Sequence, residues 1–161
     1  MVRLPFADVT SRNIRLLAAY WEELRDGRRF PRKRGLDPGR MKPLLPYLIL
    51  AEYQYSPLRI RYRLVGTEQA RFIGMDYTGK WLDEIGWQSD YVNVWLRHVA
   101  EMVETGLPIF GRDTIVWTDD KLKEYEWAVF PLSEDGATVT HGIGIEDFST
   151  IERRSGILPL S

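Results

Sequence analysis

Side chains able to carry acid–base chemistry cluster in a few places. Adjacent carboxylates stand at Asp119-Asp120, Glu134-Asp135 and Glu146-Asp147, a further carboxylate at Asp113, and the two histidines are His98 and His141. Paired carboxyls divide acid and base roles only where their surroundings push their pKa values apart. The first two pairs fall in turn-like sequence, where solvated charge is the ordinary role. His141 has no His or Cys at a ligand spacing, so no zinc site is expected. None of the 161 residues is cysteine, which removes thiolate metal sites, thiol nucleophiles and thiol redox switching. No Gly-rich phosphate loop precedes a helix and no nucleophile elbow occurs. The single Gly-x-Gly-x run, Gly142-Ile143-Gly144-Ile145, is strand-like. Gly142 and Gly144 share a face of that strand and leave space where side chains would stand, as happens beside a ligand, another backbone or a bulge.

Between Arg25 and Lys42 eight basic residues face Asp26 and Asp37, with Pro31, Gly35, Pro38 and Gly39 breaking the run. Arg28-x-x-x-Arg32 has the arginine spacing of a cyclic-dinucleotide-binding family, in which two guanidiniums fork onto phosphates. That family's second motif, Asp/Asn-x-Ser-x-x-Gly, is missing. The segment reads instead as a solvated loop, or as a patch for an acidic partner protein or anionic lipid. Over the whole chain 22 Lys+Arg nearly balance 23 Asp+Glu, a net charge of −1 that argues against nucleic acid as a partner.

These groups must be held by a frame, and 44% hydrophobic residues, with six Trp, eight Tyr and six Phe, are enough for one soluble domain that buries roughly two thirds of its surface without disulfide or metal. Nothing approaches the ~20 apolar residues of a membrane span, and Met1 to Asp8 lacks the apolar core of a secretory signal; a cytoplasmic location is expected. Thr10 or Ser11 caps a helix to about Asp26, closed by Gly27. Its stripe of Ile14, Leu17, Ala18, Trp21 and Leu24 is widened by Leu16 and Tyr20 to an arc of roughly 200°, more than one contact requires. Leu16, Tyr20 and Leu24 are therefore assigned to a homodimer or to a docking surface for a protein partner; the competing arrangement folds the helix over the outer face of its own sheet. Asp37 before Pro38 starts a single helical turn. Leu48 to Tyr53 and the alternating Arg59 to Leu64 form a hairpin with Ile60, Tyr62 and Leu64 on one face. A short helix covers Glu68 to Ile73 and ends at Gly74. A longer helix, capped by Ser89 or Asp90, runs to Thr105 and ends at Gly106. Strands follow at Ile109 to Trp117, Glu124 to Leu132 and Thr138 to Ile145.

This order suits an α+β domain with an antiparallel sheet. Tyr62-Arg63-Leu64-Val65-Gly66-Thr67, followed by Phe72-Ile73-Gly74-Met75-Asp76-Tyr77-Thr78-Gly79-Lys80, resembles the strand, short helices and Gly-containing turn of PAS domains. Phe30-Pro31-Arg32, Leu36-Asp37-Pro38 and Leu44-Leu45-Pro46-Tyr47 leading into Leu48-Ile49-Leu50 resemble the approach to the first strand in a bacterial stand-alone, single-domain PAS family. Asp147-Phe148-Ser149, with Glu152-Arg153-Arg154 beyond, is similar to the Asp-Ile-Thr motif through which many PAS domains pass signal onward, departing by Phe for Ile and Ser for Thr. The resemblance implies a five-stranded antiparallel sheet in order 2-1-5-4-3, helices on one face and an extra N-terminal helix. The units are residues 1–46 (helix and basic loop), 47–149 (PAS core) and 150–161 (short tail). No output domain is expected in cis.

The same resemblance implies a non-catalytic sensory and signalling role. It places a ligand cavity between sheet and longer helix, with Tyr62, Tyr91, Trp95, His98, Met102, Trp127, Gly142 and Gly144 as candidate lining for a small metabolite. Core packing alone is reason enough for most of these aromatics, each worth ~2 to 3 kcal/mol when buried. Cysteinyl-flavin photochemistry needs a sulfur this chain lacks. His98 sits roughly where haem-binding PAS proteins carry an axial ligand, but a lone His beside apolar neighbours is the ordinary mark of a hydrogen-bonded or partly exposed side chain. No cofactor is expected. The alternative reading is a cone-shaped α+β isomerase or hydratase with Asp113 as buried base and Tyr62 or Tyr125 stabilising an enolate; strand order and a raised carboxyl pKa in the cavity would mark it.

Overall fold

The computed structural model describes residues 1–116, 122–149 and 151. The strands are β1 (Val2–Arg3), β2 (Leu48–Gln54), β3 (Arg59–Val65), β4 (Ile109–Val116), β5 (Leu122–Leu132) and β6 (His141–Asp147). They form one antiparallel sheet in the order β1-β4-β5-β6-β2-β3. The five longer strands thus take the expected 2-1-5-4-3 order. The count is corrected from five to six: Val2 and Arg3 pair with Arg112 and Gly111, covering the free edge of β4. β6 lies between β5 and β2 and all seven of its residues are buried, since both its edges and both its faces are covered.

The face assignment in β3 also needs correction. Leu50 pairs with Leu64 but Ala51 pairs with Tyr62, so Arg63 is an extra residue on the β3 side. Such a bulge flips the side chains beyond it to the other face: Leu64 is 44% exposed and Val65 takes the buried place.

Helices α1 (Arg12–Arg25), α2 (Thr67–Ile73) and α3 (Ser89–Thr105) divide between the two faces. α2 and α3 cover the inner face, where Trp95, Val99 and Met102 of α3 join Tyr53, Ile60, Tyr62, Ile109, Tyr125 and Trp127 of the sheet in one core. α1 covers the outer face, where Ile14, Leu17 and Trp21 pack with Ala128, Phe130, Ile143 and Ile145 in a second. The extra N-terminal helix thus takes the competing arrangement, folded over the outer face of its own sheet, while α2 and α3 share the inner face. The wide apolar arc of α1 is satisfied within the chain. Tyr20 is buried and its hydroxyl accepts from the Asp37 N–H at 2.8 Å, while a Cβ added at Gly35 would stand 2.9 Å from Leu24 Cδ1. The helix thus has two partners, the sheet and the 33–47 segment. Of the three residues assigned to a homodimer or a docking surface, Tyr20 is taken up within the chain, Leu24 is half-buried and Leu16 is 46% exposed. Acidic residues of α1 also take up basic ones: Glu23 pairs with Arg40 at 2.6 Å and Glu22 with Arg25.

Helix ends follow residue type. Ser11 caps α1, its hydroxyl accepting from the Ile14 N–H at 3.0 Å, and Asp37 opens the expected turn by accepting from the Gly39 N–H at 2.8 Å. At α3 the N-cap is Gln88, without a side-chain hydrogen bond, in place of Ser89 or Asp90. Gly106 ends it with φ 71°, a conformation glycine adopts without strain.

Candidate functional site

Between the inner face of the sheet and α3 lies a cavity of ≈ 50 Å³, where a single water needs roughly 10–15 Å³. Strands β2, β3, β5 and β6 supply its floor. Its roof is α3 together with the 76–87 segment, which is tied to β3. The Tyr62 N–H donates to Lys80 O at 2.9 Å, the Gly79 N–H to Tyr62 O at 2.7 Å, and Arg59 bonds Asp83 and Glu84 at 2.9–3.1 Å. That pairing suspends Tyr77 and Trp87 over the sheet. Tyr91 and Trp95, one helical turn apart on α3, complete a continuous aromatic run. Its ring centroids are 4.7 Å apart for Tyr62–Tyr77, 5.2 Å for Tyr77–Trp87, 5.4 Å for Trp87–Tyr91 and 6.4 Å for Tyr91–Trp95, all edge-to-face.

Of the sequence candidates, Tyr62, Tyr91, Trp95, Gly142 and Gly144 line this cavity. His98, Met102 and Trp127 are not among its lining residues. The Trp127 indole lies over Gly111, where a Cβ would stand 2.2 Å from it, and its ring centroids are 4.9 Å from Trp95 and 5.1 Å from His98. These three fill the gap between α3 and the β4–β5 half of the sheet. Burial, then the Arg3 guanidinium, holds the His98 imidazole below its ordinary 6.5. Its Nε2 is buried without a hydrogen-bond partner among the described residues. At Gly142 the vacant side-chain place is taken by the Tyr53 hydroxyl, 1.9 Å from an added Cβ.

The residue that sequence reasoning passed over is Glu146. Strand periodicity carries the Gly142, Gly144 face to Glu146 and sends Asp147 to the opposite side, so the sheet splits this carboxylate pair. Glu146 points into the cavity, 7% exposed. Burial first, then the negative charge of Asp113, pushes its carboxyl up to about 7, against a hydrogen bond donated by the Tyr91 hydroxyl. Burial also raises the hydroxyls of Tyr53, Tyr62, Tyr77, Tyr91 and Tyr125 above their ordinary 10, so each stays neutral.

On the outer face Asp147 accepts from the Ser11 hydroxyl and, at 3.2 Å, from Asn13 Nδ2. Glu126, its cross-strand neighbour, accepts from the N–H groups of Thr10 and Ser11 at 2.9 and 2.7 Å and from Arg112 at 3.1 Å. Burial alone would raise the Glu126 carboxyl; the hydrogen bonds from Ser11, Thr10 and Arg112 outweigh it and hold the group below its ordinary value. Two carboxylates thus receive the positive N-terminal end of α1. The next residue, Phe148, turns back to the inner side, stacking on Phe72 of α2 at 3.7 Å and meeting Tyr125 at 4.6 Å. Ser149 donates its N–H to Asp147 at 3.1 Å; Glu152, Arg153 and Arg154 lie outside the described residues.

A family model for the PAS domain matches residues 9–145. The chain belongs to the PAS domain family. The match takes in α1, α2, α3, strands β2 to β5 and the first five residues of β6. Among solved structures, this PAS domain is similar to the chain titled "Structure of an RNA-binding Light-Oxygen-Voltage Receptor", with 13% identity and a TM-score of 0.44 over 91% of this chain; it spans 37% of that one. No curated protein matches the sequence. Asp113, cast as the base of an isomerase, pairs with the Met1 ammonium at 3.2 Å, and the deep carboxyl belongs to Glu146 on another strand. Among the described residues no helix is long and apolar enough to cross a membrane, and no three His, Cys, Asp or Glu side chains are grouped to hold a metal ion.

Proposed function

We propose that this PAS domain is a cytoplasmic, non-catalytic sensor that holds a small ligand in the cavity and passes its state to a protein partner through the end of β6 and the start of α1. One observation carries the reading: three consecutive residues touch three different parts of the signal path. Glu146 faces the cavity, Asp147 holds Ser11 at the first turn of α1, and Phe148 stacks on α2. Because strand residues alternate sides, a displacement of Glu146 passes to Asp147 and so to α1 on the far face, with no need for a path across the core. A ligand shifts such an equilibrium only by its different affinities for the two arrangements, so a tenfold preference is worth about 1.4 kcal/mol. The test is mass spectrometry of small molecules released on denaturing protein isolated from its own host, wild type against Ala51→Leu, which fills the cavity from β2. A near-equimolar compound present in the wild type and lost in the variant supports the reading; wild-type protein that releases none sinks it.

A further inference from the structure

The carboxylates on the two faces of the sheet are treated differently. Glu126 is supplied with Arg112, two backbone N–H groups and a hydroxyl. Glu146 is equally buried, yet no basic side chain lines its cavity among the described residues, and its hydrogen bond comes from the neutral Tyr91. A buried carboxylate without a cation is costly, and such a group neutralises itself or takes its positive partner from outside. Around it the rings of Tyr62, Tyr77, Trp87 and Tyr91 meet edge-to-face at 4.7–5.4 Å, walls of the kind that attract a positive charge through the ring quadrupole. A packed core has use for the rings but not for an ionisable side chain among them.

We propose that the cavity is a cation site, in which Glu146 supplies the charge and Tyr62, Tyr77, Trp87 and Tyr91 the cage for a small organic ammonium ion. This rests on the ligand-sensing reading above and names the ligand's class. The titratable groups facing Glu146 are Asp113 from β4, itself paired with the Met1 ammonium at 3.2 Å, Tyr125 from β5, Tyr62 from β3, Tyr77 from the suspended segment and Tyr91 from α3. The hydroxyls stay neutral because burial raises them, so Glu146 is the group that switches near neutrality, and its ionised form is the one a cation favours. Affinity should therefore rise with pH through about 7 and level off above it.

The test uses the full chain and three probes: tetramethylammonium, choline and its uncharged carbon isostere 3,3-dimethylbutan-1-ol, titrated while amide shifts of Tyr91 and Glu146 are followed. Near pH 8 the two cations should bind at least ~10-fold more tightly than the alcohol, a preference that Glu146→Gln abolishes and that shrinks about 10-fold near pH 6. Calorimetry of the wild type in buffers of different ionisation heat gives a second reading that needs no variant: near pH 6 cation binding should release close to one proton and alcohol binding none. An alcohol that binds as tightly as choline, or a cation preference untouched by Glu146→Gln, overturns the cation assignment and leaves the ligand cavity standing. Failure of all three probes at millimolar concentration overturns the cation assignment too, while the mass-spectrometric test decides the cavity separately.

Discussion

Replacing Glu146 with Gln keeps the shape of the side chain and removes its charge, so it isolates what ionisation in the aromatic box costs. The folded carboxyl titrates at about 7 in place of its ordinary 4.5. At ~1.4 kcal/mol per pH unit, ionised Glu146 makes the folded state about 3 kcal/mol less stable than it is with the proton on. The sign follows from linkage: with the folded pKa above the unfolded one, the native state binds the proton more tightly. The stabilisation is therefore complete below about pH 4.5 and lost as pH rises through about 7. Wild type and Glu146→Gln should then be close in stability near pH 5, and near pH 8 the variant should be the more stable by about 2–3 kcal/mol, or roughly 5–10 °C in Tm for a chain of this size. Urea unfolding at a series of pH values, without added amine, measures the difference directly. Parallel pH profiles for the two proteins would refute the reasoning, because they would mean that Glu146 is solvated or already paired. Saturating tetramethylammonium should close the gap near pH 8 if a cation offsets the buried charge.

Ser11→Ala removes both the cap on Ile14 and the donor to Asp147, and should cost about 1–2 kcal/mol in chemical denaturation; a loss within error would show that α1 is held by its apolar face alone. Gly142→Ala puts a methyl where the Tyr53 hydroxyl stands, should cost about 1–3 kcal/mol and should push Tyr53 toward the cavity, visible as altered tyrosine ring resonances; a neutral substitution would contradict the packing described. Purified protein should be colourless, and a Soret band that disappears in His98→Ala would overturn the expectation that no haem is bound.

The legible part of this protein is the part where period and punctuation act locally. Alternation in Arg59 to Leu64 and the capping chemistry of Ser11, Asp37, Gly74 and Gly106 place elements close to where they stand. Three features escaped for physical reasons. A two-residue strand such as β1 has no period to detect, and it exists because the edge of β4 needs a partner. The bulge at Arg63 is a pairing event between strands, so nothing within β3 announces that Leu64 will turn outward. The wide apolar arc of α1 correctly signals two packing partners, but the second is the chain's own 33–47 segment, whose basic residues disguise the buried Met41 and Leu44. At the site, Tyr77 and Trp87 reach the cavity through a loop paired to β3, a tertiary effect. Glu146 was within reach: counting by twos from Gly142 and Gly144 separates it from Asp147 and puts it on the cavity face.

Exchange at the first turn of α1 tests most directly whether the cavity speaks to the opposite face of the sheet. Amide hydrogen exchange of Ile14 and Arg15, which donate to the Ser11 hydroxyl and carbonyl at 3.0 and 3.1 Å, should be followed in wild type, Ala51→Leu and Glu146→Gln. Both substitutions lie on the cavity side and touch none of the α1 contacts. Both should change protection at Ile14 and Arg15 several-fold, on the order of 1 kcal/mol in local opening, while the C-terminal turn of α1 moves only with global stability. Protection at the first turn that follows global stability alone in both variants would contradict the coupling through Glu146, Asp147 and Ser11.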